Sequence, residues 1–195
     1  MRVAVCVSGR GSNLDALVRA LPAGGPAGVV LVISNRPQAG ALNLARQHGI
    51  EAAVLADPAD PTEWLRLLRE AAVDLVVLAG FLKQVPSEVV EAYAGRIINI
   101  HPALLPKHGG PGMYGLNVHR AVLAGKDLES GATVHLVTRQ YDEGPVLGQA
   151  RVPVLPDDTP EALAARVLVV EHRLLPAAVL AAAKAGRAVT FTVTN

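Results

Sequence analysis

The chain has 195 residues, 51% of them hydrophobic and 18% charged, with a formal net charge of +1. This is too apolar for disorder, yet no apolar run reaches the ~20 residues that a membrane-spanning helix needs. Without an excess or clustering of basic residues the chain carries no nucleic-acid footprint, so a small anion held by a local site is the expected ligand class.

The length suits one domain with a full core, spanning residues 1–195. Arg2 to Ser8 reads as a strand that begins without a cleavage-site pattern, and the single Cys6 leaves no internal disulfide; both point to the cytoplasm. Cys6 lies among valines and reads as a core thiol rather than a nucleophile. Gly9-Arg10-Gly11-Ser12 is a turn into a helix over Asn13 to Ala20, with Leu14, Leu17, Val18 and Leu21 on one stripe. A second strand covers Gly28 to Ser34, and a helix from about Ala41 to His48 is closed by Gly49. A shorter strand, Glu51 to Leu55, precedes a helix over Thr62 to Ala72 and a strand over Leu75 to Ala79. Pro86-Ser87-Glu88 opens a helix with Ser87 as the expected cap, and Gly95 ends it. Continuous apolar runs such as Leu75-Val76-Val77-Leu78 imply burial on both faces, hence parallel strands.

Arg96 to Pro102 is the stretch around which the chain is organised. Its β-branched residues read as the end of a buried strand, and Pro102 stops the ladder. Asn99 and His101 are two apart and so share a side of that strand, at the carboxyl end where open α/β sheets hold ligands. A lone buried histidine would read as structural; the second polar residue and the proline favour a site. The glycine-rich run Lys107 to Gly115 is expected to form a flexible wall or lid. A helix over Asn117 to Ala124 follows, with His119 and Arg120 expected on its surface. A strand over Ala132 to Thr138 then pairs with an antiparallel neighbour, Gln149 to Val154, across an acidic loop. Asp158-Thr159-Pro160-Glu161 is a capped helix start; the helix is expected to run to about Ala183, interrupted near Pro176, with Thr190 to Val193 as an edge strand. The fold class is therefore α/β: a single-domain, Rossmann-like, mostly parallel twisted sheet with helices on both faces and an antiparallel C-terminal portion.

Ser8 to Asn13 joins a strand to a helix N-terminus, where free N–H groups and the dipole suit a phosphate. The competing reading is a plain glycine turn with Ser12 or Asn13 as a cap. Leu14 stands where a dinucleotide fingerprint needs its third glycine, and no Gly-Lys-Ser/Thr is present, which leaves a phosphate monoester. Asn99, His101 and Asp142 form a possible catalytic set: an amide donor for an oxyanion, a group that holds or moves a proton, and a carboxylate beside it. His101 and His108 are expected on opposite sides of a bend, no His or Cys pair has metal-ligand spacing, and no metal is expected. No Gly-x-Ser-x-Gly elbow occurs either.

Ser8 to Leu14, Leu78-Ala79-Gly80-Phe81, Asn99 to Pro106 and Asp142 to Val146 resemble the phosphoribosylglycinamide formyltransferase family, folate-dependent enzymes of purine synthesis. The likeness runs from the first strand to about Pro176. It implies the formyltransferase fold, with residues of about 1–100 as a nucleotide-binding half and about 101–195 as a folate-binding half. It implies formyl transfer from 10-formyltetrahydrofolate, a consumed co-substrate, to the amine of glycinamide ribonucleotide. By resemblance Gly11, Ser12 and Asn13 are the phosphate clamp, and Glu171 meets the nucleotide's sugar. Leu82, Lys83, Gln84 and Val85 resemble the segment whose backbone receives the pterin, and Thr138, Arg139, Gln140, Tyr141 and Asp142 the loop that closes over it beside Asn99. Asn99 and protonated His101 then stabilise the oxyanion, while Asp142 supports the charged ring and the proton relay. The implied partners are small molecules, with no nucleic acid and no membrane, and the chain would be a monomer or homodimer.

Some positions depart from the family pattern. Lys83 stands where many members have arginine, the Asp57 to Trp64 region lacks an arginine aimed at the folate's glutamate tail, and Ala103 replaces a common serine. The Gly109 to Gly115 loop is longer than in some relatives and the tail is shorter. A formyltetrahydrofolate hydrolase would share Asn99, His101 and Asp142 but resembles a longer chain with an N-terminal regulatory domain. A methionyl-tRNA formyltransferase would add a basic C-terminal domain. A non-catalytic nucleotide-binding module on the same fold would retain Gly11 to Asn13 while losing members of the catalytic set.

Overall fold

In the computed structural model, which describes residues 1–193, the valine- and isoleucine-rich runs form seven strands: β1 (Arg2–Val7), β2 (Gly28–Ser34), β3 (Glu51–Val54), β4 (Leu75–Leu78), β5 (Ile97–His101), β6 (Glu129–Leu136) and β7 (Val146–Pro153). The helices are α1 (Ser12–Ala20), α2 (Gly40–Gln47), α3 (Pro61–Glu70), α4 (Ser87–Ala92), α5 (Leu116–Ala124) and α6 (Pro160–Ala185). The strands make one sheet in the order β3-β2-β1-β4-β5-β6-β7. The first five pair in parallel, and β6 and β7 add antiparallel to β5 and to each other.

Alternation along each strand divides the core between the two faces. Val3, Val5 and Val7 join Leu14, Leu17, Leu163 and Leu174 beneath α1 and α6, whereas Ala4 and Cys6 join Trp64, Leu68 and Val89 beneath α3 and α4. In β5, Ile98 and Ile100 face the α1/α6 layer, so Asn99 and His101 lie with Ile97 on the opposite side. The chain reverses its strand order between β1 and β4, the topological switch point at which α/β sheets open a crevice. Ser8 fastens that point. Its N–H donates to Gly80 O (3.0 Å), and its Oγ donates to Asn35 Oδ1 (2.6 Å) while accepting from Leu82 N–H (2.8 Å).

Four expectations from the sequence are corrected. Pro86, not Ser87, holds the cap position of α4, and the Ser87 hydroxyl turns to Glu88 instead (3.1 Å). Pro176 does not interrupt α6, which runs through it for 26 residues; Pro176 is buried, and packing of the helix along β6, β7, α1 and α5 outweighs the missing donor. Thr190 to Val193 forms no strand. Phe191 N–H makes one bond to Leu147 O (2.9 Å), and the Phe191 ring occupies the space above Gly148. His119, expected on the surface of α5, is buried, because it falls on the stripe with Val118 and Val122 that faces the core.

A glycine is required where β6 and β7 approach most closely. A methyl group on Gly131 would run into the Ala150 carbonyl oxygen and crowd Leu104. Gly131→Ala is expected to cost about 1–3 kcal/mol and to lower the thermal midpoint by several degrees, read by a circular-dichroism melt; an unchanged midpoint would mean the pair can part without penalty.

Candidate active site

The carboxyl ends of β4 and β5, the glycine-rich loop after β5 and the loop between β6 and β7 enclose a cleft of about 320 Å³. Asn99, His101 and Asp142 all line it, as do Asn13, Glu171 and every residue of Leu82 to Val85 and Thr138 to Asp142. Phe81 forms part of its wall and stacks edge-on against Trp64 with ring centroids 5.4 Å apart, anchoring that wall to the core below α3. Gly110 to Gly115 also line the cleft, so the glycine-rich loop is a wall of it.

Within this cleft, His101 is 3% exposed. Its Nε2 lies 2.8 Å from His108 O and its Nδ1 3.5 Å from Asp142 Oδ2. Gly110 N–H donates to the same Asp142 oxygen (2.9 Å), while Asp142 Oδ1 lies 3.4 Å from His135 Nε2. Asn99 Nδ2 is 3.0 Å from His135 Nε2 and 3.5 Å from Asp142 Oδ1. His135 Nδ1 lies 2.9 Å from Leu136 O. Its other nitrogen can therefore take the Asn99 amide hydrogen when the ring is neutral and give one to Asp142 when the ring is protonated.

Burial pushes the His101 ring below its ordinary value; the Asp142 carboxylate and the His108 carbonyl oppose this, and burial prevails. Asp142 behaves the opposite way. Burial favours its neutral form, but the His135 hydrogen bond, the His101 charge and the Gly110 N–H together hold it below the usual carboxylate range.

In the lining of the same cleft Asn13 Nδ2 donates to Glu171 Oε2 (2.6 Å), a contact across 158 positions of sequence. Burial raises the Glu171 carboxyl, with the Asn13 bond opposing. Asn13 Oδ1 is buried without a partner among the described residues, an acceptor available to a ligand. Gly11 and Ser12 do not line this cleft. They border a separate, open cavity of about 450 Å³ shared with Gly40 and Asn43. Gly11 holds the cap position of α1 in a left-handed conformation (φ 88°), and no side chain caps the helix, so neither Ser12 nor Asn13 serves as the cap. The first N–H groups of α1 are thereby left for an anion.

His135 and the backbone of His108 and Gly110 are members of this cluster that sequence reasoning missed. His135 lies directly opposite Asn99 in the β5–β6 register, a signal visible only once those strands are known to pair. His108 was expected away from His101, but the chain folds back and delivers its carbonyl to the ring. Leu82 N–H, one of the backbone groups expected to face a ligand, is already taken by Ser8. Among the described residues no group of three or more His, Cys, Asp or Glu side chains could hold a metal ion, and no helix is long and apolar enough to cross a membrane. Asp142→Asn removes the carboxylate that favours the charged ring, so the His101 pKa is expected to fall further; an NMR titration of the ring reads this, and a rise would break the pairing.

The family model described as formyl transferase matches residues 1–179. The chain is 45% identical over 181 residues to the chloroplastic phosphoribosylglycinamide formyltransferase of Arabidopsis thaliana, covering 89% of this chain and 62% of that one. It is 42% identical over 183 residues to the phosphoribosylglycinamide formyltransferase of Escherichia coli K12, covering 90% and 84%. The chain thus spans about six-tenths of the length of the plant relatives, 62% and 58%, and most of the bacterial one. Among solved structures, the phosphoribosylglycinamide formyltransferase of Anaplasma phagocytophilum superposes with a TM-score of 0.88 at 40% identity, over 94% of this chain and 87% of that one. A formyltetrahydrofolate deformylase from Pseudomonas syringae gives 0.77 at 27%, with 60% of that chain covered. The chain belongs to the formyl transferase family, among its phosphoribosylglycinamide formyltransferases.

Proposed function

We propose that the chain transfers the formyl group of 10-formyltetrahydrofolate to the amine of N1-(5-phosphoribosyl)glycinamide, yielding the N2-formyl product and tetrahydrofolate on the route to IMP. The convergence of Asn99, His101 and Asp142 with Asn13 and Glu171 on one cleft carries this reading. It joins an oxyanion and proton-transfer cluster to polar residues for a nucleotide, which a deformylase acting on the folate alone would not need. The lower identity to the deformylase structure points the same way.

The uncapped start of α1 at Gly11, Ser12 and Asn13 receives the phosphate. Glu171 accepts from a sugar hydroxyl, and the unpartnered Asn13 Oδ1 takes a further donor of the nucleotide. The pterin rests against Leu82 to Val85, with Gln84 tying that segment to Arg139 O (3.1 Å), and Thr138 to Asp142 cover it. Lys83 lies exposed among the cleft residues, within the segment that receives the pterin. As the amine nitrogen bonds to the formyl carbon, negative charge grows on the formyl oxygen. Asn99 donates to it, and the His101 ring takes up the proton that the attacking amine loses, with Asp142 supporting the imidazolium. The bond from the formyl carbon to N10 then breaks, and the proton lost by the amine leaves on N10 through His101 and Asp142. Bound this way, the folate is a consumed co-substrate, and the partners are small molecules. The setting we infer is the cytoplasm, with a plastid counterpart in the plant relatives.

The test is release of tetrahydrofolate from 10-formyltetrahydrofolate with and without the nucleotide. Release that requires the nucleotide, with formylated amine, supports transfer; release of formate without it means hydrolysis, and binding without release means a non-catalytic module. Glu171→Gln is expected to raise KM for the nucleotide about tenfold while leaving kcat within about twofold, because its contacts are made in the ground and transition states alike; a loss confined to kcat would assign Glu171 to the chemistry.

A further inference from the structure

Outside the cleft, the His108 ring and Asp127 make a contact that the proposed chemistry does not use. His108 carries a left-handed backbone (φ 56°), a conformation that a residue with a side chain seldom adopts unless something holds it. What holds it is on the far side of the loop. His108 Nε2 lies 2.6 Å from Asp127 Oδ2, and Lys107 Nζ donates to Asp127 Oδ1 (2.7 Å). Asp127 is itself fixed, since its N–H donates to Val122 O at the end of α5 (3.3 Å), and the next residue, Leu128, accepts from Val154 N–H (3.0 Å).

The main chain between these anchors passes directly over the catalytic cluster. The His108 carbonyl meets His101 Nε2 at 2.8 Å, and two residues later Gly110 N–H donates to Asp142 at 2.9 Å. One short segment thus supplies an acceptor to the ring and a donor to the carboxylate. The stretch has no room to reposition freely, because a methyl group on Gly109 would stand 2.6 Å from Leu105 Cδ2 and 3.1 Å from Asp142 Cβ.

We propose that His108 and Asp127 form a clamp that positions His101: by locking the His108 main chain, the His108–Asp127 hydrogen bond outside the cleft aims a carbonyl at Nε2 and so holds the ring as the Nε2–H tautomer with Nδ1 turned to Asp142. The two residues are positioning residues and touch no substrate. A carbonyl accepts and cannot donate, so it selects the nitrogen that keeps the hydrogen. Release of His108 frees the ring to exchange tautomers, and Nδ1 is no longer reserved for Asp142. The kinetic consequence rests on the proposed formyl transfer; the state of the ring does not.

Ring ¹⁵N shifts of His101 at a pH of about 8, where a histidine is neutral, read the clamp directly. The intact protein is expected to give the Nε2–H pattern and Asp127→Ala a mixture of both tautomers, with kcat lowered on the order of tenfold to a hundredfold and the nucleotide KM within about twofold. Lys107→Ala, which leaves the His108–Asp127 contact in place, is expected to keep both the pattern and kcat. His108→Ala should reproduce the loss, and His108→Gln, whose amide can still donate to Asp127, should restore most of it; this pair serves if Asp127→Ala does not fold. A folded Asp127→Ala or His108→Ala with an unchanged ring spectrum and kcat overturns the clamp, as does an equal loss in Lys107→Ala. If the intact protein transfers no formyl group, the proposed function falls while the ring spectra still decide the clamp.

Discussion

The site depends on the register between β5 and β6. Asn99 faces His135 and His101 faces Thr133 in that antiparallel pair, so the polar residues of two strands meet in one place at the sheet's carboxyl edge. Side chains alternate with a period of two, and a slip of one residue would turn Asn99 and His101 into the layer occupied by Ile98 and Ile100. Thr133 guards the register. Its hydroxyl donates to Ala103 O (2.6 Å) and accepts from Leu105 N–H (3.1 Å) and from Gln149 Nε2 (2.9 Å), while Gln149 also reaches Leu105 O (3.0 Å). The segment that leaves β5 is thereby held to both antiparallel strands. The change from parallel to antiparallel pairing at β5 is what lets strands from distant sequence supply this network.

Within that frame the buried ionisable groups set one another's charge. Two histidines and a carboxylate share a volume from which water is largely excluded, so each depends on the hydrogen bonds of the others. Asp142 has three partners that favour its ionised form, and it stays charged despite burial. His101 has the carboxylate and a carbonyl on its side, but burial outweighs them, so the ring holds a proton less tightly than an ordinary histidine. The nucleotide residues follow a different logic. There the Asn13–Glu171 bond joins α1 to α6, and the amide oxygen left unpaired is stabilised only when a ligand supplies a donor.

Much of this arrangement was legible in the sequence, for physical reasons that differ from element to element. The valine runs, the glycine turn before α1, the Thr159-Pro160-Glu161 start of α6 and the two-residue spacing of Asn99 and His101 are local signals, each decided by backbone geometry within a few residues. Pro176 misled because its local cost is real but smaller than the burial gained by α6 along the sheet. The tail misled because Thr190 to Val193 has strand-like residues yet, among the described residues, joins β7 through the Phe191 N–H alone. His119 misled because an exposed and a buried face of a short helix cannot be told apart by polarity when the buried one carries a histidine.

By itself the sequence determined most of the elements, the division of the sheet into two buried faces, the turn suited to a phosphate and the shared side of Asn99 and His101, because each of these follows from local conformation and short-range periodicity. The tertiary structure alone decided that His135 stands beside Asn99, that Asn13 meets Glu171, that the His108 carbonyl returns to His101 and that burial loosens this ring's hold on a proton. Those are consequences of strand pairing, chain reversal and loss of solvent, which join residues without regard to their separation along the chain, and no window of sequence contains them.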